Sequence, residues 1–533
     1  MNKKLLSAFL FAGLLSNVSA QSPWLLDPSW STDGKTMIDY GFQDNLTCVT
    51  VNPNNLTVLT GGTAISSTTF GGNLLISRHL PDGSLDPTFD GDGNLILTGF
   101  TESYAYDIHL LSDGKILVAG ASANPQYQFS MLLMRLNADG SYDTSFGTNG
   151  LVQTDLAPAD EFAYSMAIQS DNKIVLVGSA GDVNYNNMPA IVRYNEDGTL
   201  DTSFGTNGIV TLPVTQIDNE FSKVMIQADG KIVAAGHWDQ GLTDGGQQNF
   251  DILLARFETT GQADLSFGTS GVVITPVSFQ YTEEAYGLAI TAEGEYLVSG
   301  FTLAQDLSQN IVLLKFTNSG ALQTAFGNNG KVIFDRTTGD VAYDMMLQGD
   351  QILIAGAIGN NIDELDFLLA RFNSDGEPDS SFGTNSVIRT DIQAGFDEAN
   401  AITALPDGRI LLAGKGNNGV QNDAVTVRYT RDGLPIGMID LSEKIAIQLY
   451  PNPLQAGSPL QIKLSGNQTG LKHVSIYTIQ GTCVWKQAIQ SINSTETSIL
   501  QLELPTNLSS GMYLLQVDED NTHPQSIRLG VVN

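Results

Sequence analysis

Cysteine, histidine and basic residues are scarce in this chain of 533 residues. Only two cysteines and five histidines occur, so a disulfide scaffold is excluded and stability must come from packing. Against 25 lysines and arginines stand 57 aspartates and glutamates, which gives a net charge of −32. Such a surface repels phosphate backbones and anionic headgroups. We therefore expect no nucleic acid partner and no membrane insertion.

Long apolar runs are absent beyond the N-terminus. The first residues carry two lysines, an apolar run from Leu5 to Leu15 and small residues at Val18-Ser19-Ala20. This pattern is typical of a secretory signal peptide and is too short for a stable membrane span. We expect residues 1–20 to be a signal peptide that is cleaved after Ala20. The mature chain is then expected to be exported.

Recognisable catalytic motifs are also lacking. The sequence has no GxSxG elbow, phosphate-binding loop or dinucleotide fingerprint in the required context, and its histidines show no metal-ligand spacing. We therefore assign no catalytic residue and no metal ligand, and we expect no cofactor and a protein that is not an enzyme.

An internal period of about 58 residues dominates what is present. The fragment DGKILVAG (113–120) returns as DNKIVLVG (171–178), DGKIVAAG (229–236), EGEYLVSG (293–300), GDQILIAG (349–356) and DGRILLAG (407–414), and a divergent first copy ends at Gly61. Units of this size cannot bury their own apolar face and must stack on neighbours.

Each copy reads as four short strands joined by turns. Segments of five to seven residues rich in Val, Ile, Leu and aromatics are bounded by Gly, Asp and Asn, and Asp-Gly pairs suit antiparallel hairpins. Four strands in seven copies predict an all-β fold, a seven-bladed β-propeller with four-stranded antiparallel blades over residues 21–441. A β-solenoid is the alternative architecture, but its rungs are shorter.

Two recurring residue types are expected to be structural. One large ring stands in each SFG motif: Phe89, Phe146, Phe204, Phe267, Phe326 and Phe382, with Trp30 in the first copy. We expect these rings to fill the gaps between adjacent sheets.

A basic residue in each fourth strand is followed eight positions later by a polar partner. The pairs are Arg78–Asp86, Arg135–Asp143, Arg193–Asp201, Arg256–Asp264, Lys315–Gln323 and Arg371–Asp379. Because Arg and Asp change together, we expect ion pairs within about 4 Å. In the seventh copy Ile436 holds that position, so Arg428 needs another partner. The functional alternative is a ring of arginines that binds an anionic ligand.

Acidic residues recur before the second strand of each copy. They are Asp44, Glu102, Asp160, Asp218, Glu283, Asp340 and Asp397. Such a ring could collect a cation or ligand at one end of the barrel, but local capping of backbone N–H groups is the favoured interpretation. The turn Asp90-Gly91-Asp92-Gly93 could bind Ca²⁺, although an ordinary turn is favoured and the spacing of a complete calcium loop is absent.

The loops on one face of the predicted propeller differ most between copies. Binding residues usually lie on variable loops held by a rigid scaffold. The candidate ligand contacts there are Tyr127, Tyr185, His237, Trp238, Phe279 and Tyr281, whose rings could stack on sugars or instead pack within their own loops.

The repeat, with its DGKIVxAG-like core and LDTSFGTNG turn, resembles the delta-60 repeat of bacterial secreted proteins over residues 26–440. The resemblance implies an exported β-propeller-like domain and brings no catalytic residues.

After Ser442 the period stops, and the motifs change to Tyr450-Pro451-Asn452-Pro453, VSIYTIQGTCVW (474–485), LSSGMYLLQV (508–517) and IRLGVV (527–532). This segment, 442–533, resembles the type A C-terminal sorting domain of the type IX secretion system of Bacteroidota. The resemblance implies a small immunoglobulin-like β-sandwich that engages the secretion machinery for passage across the outer membrane to the cell surface or medium.

Together these features predict an exported binding or adhesion module for a glycan or protein ligand. The alternatives are a polysaccharide-acting hydrolase or lyase with acidic residues in the propeller cleft, and a structural component of the cell surface. Two carboxyl groups about 5–10 Å apart in a pocket flanked by aromatics would favour the enzyme.

Overall fold

The computed structural model of the chain divides into two units, Met1–Leu434 and Pro435–Asn533. In the first unit it describes residues 24–41, 43–65, 71–156, 159–184, 186–214, 216–243, 246, 248–278, 281–360, 364–393 and 395–431. In the second unit it describes the strands given below. The described residues form strands and turns, so the predicted all-β class is confirmed. No described helix could cross a membrane.

In the described part of the first unit, the strands form successive antiparallel groups. The N-terminal segment forms β1 (Trp24–Leu26) and β2 (Lys35–Ile38). The next strands, in four groups, are β3 (Gln43–Val51), β4 (Val58–Ile65), β5 (Gly72–His79) and β6 (Asn94–Ile96); β7 (Glu102–Leu110), β8 (Ile116–Ala123), β9 (Phe129–Leu136) and β10 (Leu151–Thr154); β11 (Glu161–Ile168), β12 (Ile174–Gly181), β13 (Asn187–Tyr194) and β14 (Ile209–Thr211); and β15 (Glu220–Ile226), β16 (Ile232–Leu242), β17 (Gln248–Phe257) and β18 (Val272–Thr275).

The remaining strands continue the same order. They are β19 (Glu283–Ile290), β20 (Tyr296–Leu303), β21 (Gln309–Phe316) and β22 (Lys331–Phe334); β23 (Gly339–Gln348), β24 (Gln351–Gly359), β25 (Asp366–Phe372) and β26 (Val387–Thr390); and β27 (Glu398–Ala404), β28 (Ile410–Asn417) and β29 (Asn422–Arg431). Within each group, consecutive strands pair antiparallel. The fifth and sixth groups are also joined by one parallel bridge, between Gln309 and Gly339.

The hairpin turns form where the sequence supplies residues that accept positive φ. Gly114 and Gly230, in the turns after β7 and β15, have φ of 88° and 87°, and Asn172 takes φ of 65° in the equivalent turn after β11. Glycine reaches this region without steric cost, and asparagine tolerates it better than most residues. The Asp-Gly hairpins predicted from the sequence are therefore confirmed.

The N-terminal strands complete the last group. The free edge of β29 pairs antiparallel with both β1 and β2, with Trp24 opposite Arg431 and Lys35 opposite Val427. The outermost position of the seventh group is thus filled by the beginning of the chain. This pairing covers a sheet edge that would otherwise be open to another chain.

The strand that was predicted as the fourth of each copy is the third of its group in the structure, and the predicted ion pairs between this strand and the following turn are confirmed. The N–O distances are 2.8 Å for Arg78–Asp86 and 2.7 Å for Arg135–Asp143, Arg193–Asp201, Arg256–Asp264 and Arg371–Asp379. In the fifth group Lys315 and Gln323 both bind Glu295, at 2.8 and 2.6 Å. The joint change to Lys and Gln therefore keeps the two positions connected through a third residue.

Arg428 finds its partner at the other end of the chain. Its Nε donates to Asp27 Oδ2 at 2.7 Å, and its guanidinium lies 4.6 Å from the Trp30 ring. The expectation that Trp30 belongs to the first copy is wrong, because Asp27 and Trp30 form the turn of the last group. The equivalent arginines stack on their own SFG rings at 4.3–5.0 Å.

The SFG rings lie between successive groups, as predicted. All are at most 1% exposed. A Cβ added to Gly140 of the second group would lie 3.1 Å from the Phe89 ring of the first, so this glycine is needed for the close approach. The same contact joins the last group to the first, because Gly83 would meet Trp30 at 3.1 Å. Arg428 also donates to the carbonyl of Pro81, at 2.7 Å.

The apolar core runs from group to group. One buried cluster, for example, combines Leu74 and Ile76 of the first group with Ile116, Val118 and Leu132 of the second. Each sheet therefore buries both faces against its neighbours, as expected of units that cannot fold alone.

The second unit of the chain contains two further sheets. Its strands are β30 (Ala446–Tyr450), β31 (Leu454–Gln455), β32 (Pro459–Ser465), β33 (Leu471–Thr478), β34 (Cys483–Ile492), β35 (Ser498–Glu503), β36 (Gly511–Asp518) and β37 (Gln525–Val532). One sheet has the order β30-β32-β35, and the other has the order β31-β37-β36-β33-β34. Leu460 and Ile462 are buried in the first sheet, and Val474 and Ile476 are buried in the second.

Candidate functional site

A β-bulge interrupts the first strand of every group at the same place. The residues skipped by the pairing are Thr47, Tyr106, Tyr164, Ser222, Tyr286, Tyr343 and Asn400. A bulge bends its strand and redirects side chains, and bulges are common beside functional sites. Four of the seven skipped residues are tyrosines, which places aromatic hydroxyls at one level of the first strands.

Five aromatic side chains form a continuous patch on the second and third groups. This aromatic patch consists of Tyr104, Tyr106, Phe129, Phe162 and Tyr164. Ring centroids are 6.2 Å apart for Tyr104–Tyr106, 5.2 Å for Tyr106–Tyr164, 5.9 Å for Phe162–Tyr164, 5.1 Å for Phe129–Phe162 and 5.8 Å for Tyr104–Phe129. All five rings are partly exposed. The patch is therefore a continuous set of aromatic rings that are partly accessible to solvent.

A smaller aromatic group lies on the fifth and sixth groups of strands. Tyr286 is 6.2 Å from Phe301 and 5.7 Å from Tyr343, measured between ring centroids. Burial raises the pKa of Tyr286 and of Tyr343 above the usual value of tyrosine, and nearby glutamates raise both further. Their hydroxyls therefore remain protonated hydrogen-bond donors.

Glutamates accompany these tyrosines. The Tyr104 hydroxyl donates to Glu102 at 2.5 Å, and the Tyr286 hydroxyl donates to Glu284 at 2.5 Å. Glu398 lies beside the Tyr343 hydroxyl and also pairs with Lys415, at 2.9 Å. Aromatic rings beside carboxylates combine a stacking surface with hydrogen-bond acceptors, an arrangement that suits polyhydroxylated ligands.

Glu220 is a carboxylate beside Tyr164 of the patch, and its surroundings shift its pKa. Burial raises its pKa, and the neighbouring charges of Asp218 and Glu284 raise it further, while His237 opposes them. His237 Nδ1 lies 3.9 Å from Glu220, and its Nε2 lies 4.0 Å from Asp218. The imidazole stacks on Phe250 with 4.6 Å between ring centroids.

In three of the seven first strands the residue just after the bulge is charged: Asp107, Lys223 and Asp344. Lys223 Nζ lies 3.0 Å from Asp344 Oδ1, which connects the first strands of the fourth and sixth groups. Asp107 accepts from the Ser165 hydroxyl at 3.0 Å and from the Met166 backbone at 2.8 Å. Although burial opposes it, the carboxylates of Asp344 and Asp107 raise the pKa of Lys223. First strands that are distant in sequence are thus joined by polar contacts.

The predicted loop aromatics that lie among the described residues differ in exposure. Tyr127 is 63% exposed, whereas His237 is 4% exposed. Trp238 is half-buried and packs on the core, and Tyr281 is half-buried. Tyr185 and Phe279 lie outside the described residues. Their role in binding stays a prediction.

The predicted acidic positions occupy two registers of the first strands. Four of the acids are buried and lie three residues before the bulged residue of their group. They are Asp44, Glu283, Asp340 and Asp397. All four accept backbone N–H groups of the preceding loop, for example Ser278 N on Glu283 at 2.9 Å.

Glu102, Asp160 and Asp218 lie one residue earlier and are less buried. Asp160 accepts from the Phe129 backbone at 2.9 Å, and Asp218 accepts from the Asn187 side chain at 3.1 Å. Burial raises the pKa of Asp44 and of Glu283, each to about 7. A shared ligand site formed by all seven acids stays a prediction.

The turn of Asp90 and Asp92 is exposed. Asp92 caps the Asn94 backbone at 2.9 Å, and Asp90 has φ of 48°. Burial and the charge of Asp92 raise the pKa of Asp90. Ca²⁺ at this turn stays a prediction. Among the described residues, the acidic groups that could hold an ion are Asp39–Asp44–Asp423 and Asp366–Asp391–Asp397.

The aromatic patch was not predicted from the sequence. Tyr104, Tyr106, Phe162 and Tyr164 are visible as alternating aromatics in the first strands, a signal that could have found them. The bulge, however, changes the alternation of side chains within the strand, and this shift has no sequence signature here.

Family models match both parts of the chain. A β-propeller domain of unknown function, DUF5122, matches residues 111–146, 169–204, 227–267, 348–382 and 405–435. A secretion system C-terminal sorting domain matches residues 448–529. The chain therefore contains propeller repeats of the delta-60 type and a type IX sorting domain. No curated protein sequence matches it.

Solved β-propeller structures are similar in outline. An ulvan lyase of polysaccharide lyase family PL25 shares 10% identity and a TM-score of 0.43, over 74% of this chain and 95% of that one. The β-propeller domain of the Trilobed protease from Pyrococcus furiosus shares 9% identity and a TM-score of 0.36, over 74% and 96%. At these scores the similarities carry no functional argument.

Proposed function

We propose that this protein is an exported, seven-bladed β-propeller that binds glycans without catalysis, at the cell surface or in the medium. The contacts of Trp30 with Gly83 and of β29 with β1 and β2 support closure of seven blades into a ring. The C-terminal segment, as an immunoglobulin-like sandwich, would engage the type IX secretion machinery.

The aromatic patch carries this proposal. Sugar rings present C–H faces that pack on aromatic side chains, and an aromatic pair contributes about 0.5–1.5 kcal/mol beyond burial. Glu102 and Glu284 lie beside the two aromatic groups and can accept hydrogen bonds from ligand hydroxyls. Because the chain carries a net charge of −32, neutral or basic sugars are favoured over sulfated or uronic ones.

A glycan array with the full chain, followed by calorimetry with a retained glycan, tests this proposal. Tyr106→Ala and Phe162→Ala should each weaken binding by about 2- to 10-fold, because each removes one stacking ring. Tyr127→Ala is the matched control, since Tyr127 is an exposed tyrosine outside the patch and should leave affinity unchanged. Loss of affinity only in Tyr127→Ala would assign binding to the variable loops. Failure to retain any glycan would reject the proposal.

A polysaccharide-acting hydrolase or lyase is the second candidate, and Glu220 is the observation that favours it. A carboxyl group with a raised pKa beside Tyr164 and His237 is a reasonable general acid. Glu220→Gln would then abolish release of reducing or unsaturated ends from a bound polysaccharide while binding remains. If the wild-type protein releases no such ends from the glycans that it binds, this candidate is rejected.

A further inference from the structure

Three carboxylates meet where the beginning of the chain joins its last group of strands. Asp39 follows β2, Asp44 lies in β3 and Asp423 lies in β29. Each offers an oxygen within 4.8 Å of the oxygens of the other two. Among the described residues, no lysine, arginine or histidine forms an ion pair with any of them.

One oxygen of Asp44 is buried and has no donor. Asp44 is 2% exposed, and its Oδ2 accepts the Tyr40 backbone N–H at 2.6 Å. Its Oδ1 has no hydrogen-bond partner among the described residues. An unsatisfied buried carboxylate oxygen is costly, and the cost is greater beside two further carboxylates. Asp423 accepts from the side chains of Asn418 and Gln421 at 2.8 and 3.1 Å, so the oxygen left without a donor is Asp44 Oδ1, and a cation bound between the three carboxylates would satisfy it.

The preceding junction shows how the fold satisfies the same position with protein groups. Asp366, Asp391 and Asp397 form the equivalent triad, since Asp366 lies five residues before Arg371 as Asp423 does before Arg428. There Arg389 forms an ion pair with Asp366. Both oxygens of Asp397 accept backbone N–H groups, at 2.9 Å each.

Two earlier junctions are less acidic or contain a cation. Asn310 replaces the strand aspartate before Asp340, and Asp340 accepts the Arg336 and Thr337 backbones at 2.6 and 2.8 Å. At the junction between the fourth and fifth groups, burial raises the pKa of Asp251, and the nearby charge of Lys331 opposes that rise. The junction at Asp423 differs from these three because it has both the full acidic triad and the orphan oxygen.

We propose that Asp39, Asp44 and Asp423 bind a calcium ion that stabilises the contact between the first and last groups of the propeller. Ca²⁺ takes six to eight oxygen ligands in flexible geometry, so three carboxylates together with carbonyls and waters suit it, and a softer metal would need nitrogen or sulfur ligands that this site lacks. The ion ties the N-terminal segment and β3 to β29. It therefore stabilises the folded ring and is lost when the N-terminal strands detach.

Calorimetric titration of the full chain with Ca²⁺ after treatment with EDTA tests the site, together with thermal unfolding with and without Ca²⁺. The wild type should bind Ca²⁺ and show a higher unfolding midpoint in its presence. Asp39→Asn should weaken Ca²⁺ binding by more than about tenfold, the scale of loss seen even for second-layer partners of metals. Because Asp39 is exposed, this variant should fold.

The matched control is Asp33→Asn, an exposed aspartate of the same segment that caps Lys35 N at 3.2 Å. It should bind Ca²⁺ as the wild type does. Asp423→Asn provides the second variant, and its loss of binding would show that the last group contributes a ligand. The proposal is overturned if the wild type neither binds Ca²⁺ nor gains thermal stability from it. It is equally overturned if both triad variants retain wild-type affinity, since the ion would then lie elsewhere.

Discussion

The arginine of each third strand contacts both a carboxylate and an aromatic ring. Arg193, for example, is 2.7 Å from Asp201 and 4.3 Å from the centre of Phe204. A guanidinium can satisfy both because it is planar, whereas an ammonium has no flat face to stack. The fifth group of strands shows the difference, because Lys315 Nζ lies 5.9 Å from the centre of the Phe326 ring and pairs with Glu295 instead.

Glu283 gives stability a pH dependence that can be measured. Its side chain is fully buried, and burial raises its pKa to about 7. The folded state therefore binds this proton more tightly than the unfolded chain, so the stabilisation is complete below a pH of about 4 and is lost as the pH rises through about 7.

We expect Glu283→Gln to flatten the pH profile of unfolding between about pH 4 and pH 7, because the change removes a proton linkage of about 3 kcal/mol. Denaturant unfolding across that range measures it. Asp251, whose pKa is also raised by burial, faces Glu283 and remains in both proteins. Glu293→Gln, at an exposed position, is the control and should keep the wild-type profile. An unchanged profile in Glu283→Gln would show that this carboxyl does not titrate in the range.

At the scale of strands, the first strands are held together by side chains that reach across the centre. Asp344 binds Lys223 of the fourth group through Oδ1 and the Ile402 backbone of the seventh through Oδ2, at 3.0 and 3.1 Å. One carboxylate thus links three first strands. These polar contacts are directional. The apolar packing between the sheets is not, and by itself it sets only their spacing.

A double-mutant cycle on Lys223→Ala and Asp344→Ala should give a coupling energy of about 1–3 kcal/mol. This lies between the values for exposed and buried ion pairs, because Lys223 is partly exposed at 31% and Asp344 is nearly buried at 11%. Chemical denaturation of the four proteins measures the coupling. As a control, the cycle on Lys35 and Asp33, which are 4.0 Å apart at the surface, should give a value near zero. A central coupling as small as the surface one would contradict a structural role for this pair.

The sequence predicted the repeated contacts better than the unique ones. The pairing of Arg135 with Asp143 followed from a constant offset of eight residues, because the turn between them keeps one length. The pairing of Arg428 with Asp27 did not, because 401 residues separate the partners and no local pattern connects them. The aromatic patch falls in the same class, since it depends on which residues the bulges turn outward.

At the scale of the whole molecule, the chain joins a rigid repeat region to a domain of different composition. The sorting-domain match covers residues 448–529, after the last propeller match ends at residue 435. Sorting domains of this type imply export to the outer membrane or cell surface. The aromatic patch and the sorting domain thus belong to separate parts of the chain.

Deletion of residues 443–533 should therefore abolish surface exposure and leave the propeller inside the cell envelope. Antibody labelling of intact cells, compared with lysed cells, measures the exposed fraction. The full chain carrying Tyr106→Ala is the matched control, because its change affects the proposed ligand patch and should leave export unaltered. Surface labelling that survives the deletion would contradict the assignment of sorting to this segment.

The way that β1 and β2 complete the last sheet sets an order of events for folding. When the chain emerges N-terminus first, the residues of β1 and β2 appear at the start. Their partner β29 appears only about 400 residues later. Contacts of such sequence separation form slowly, because a very long loop must close before any of them is made. Strands β1 and β2 therefore remain unpaired until the last repeat is present, so a partly translocated chain cannot complete its fold.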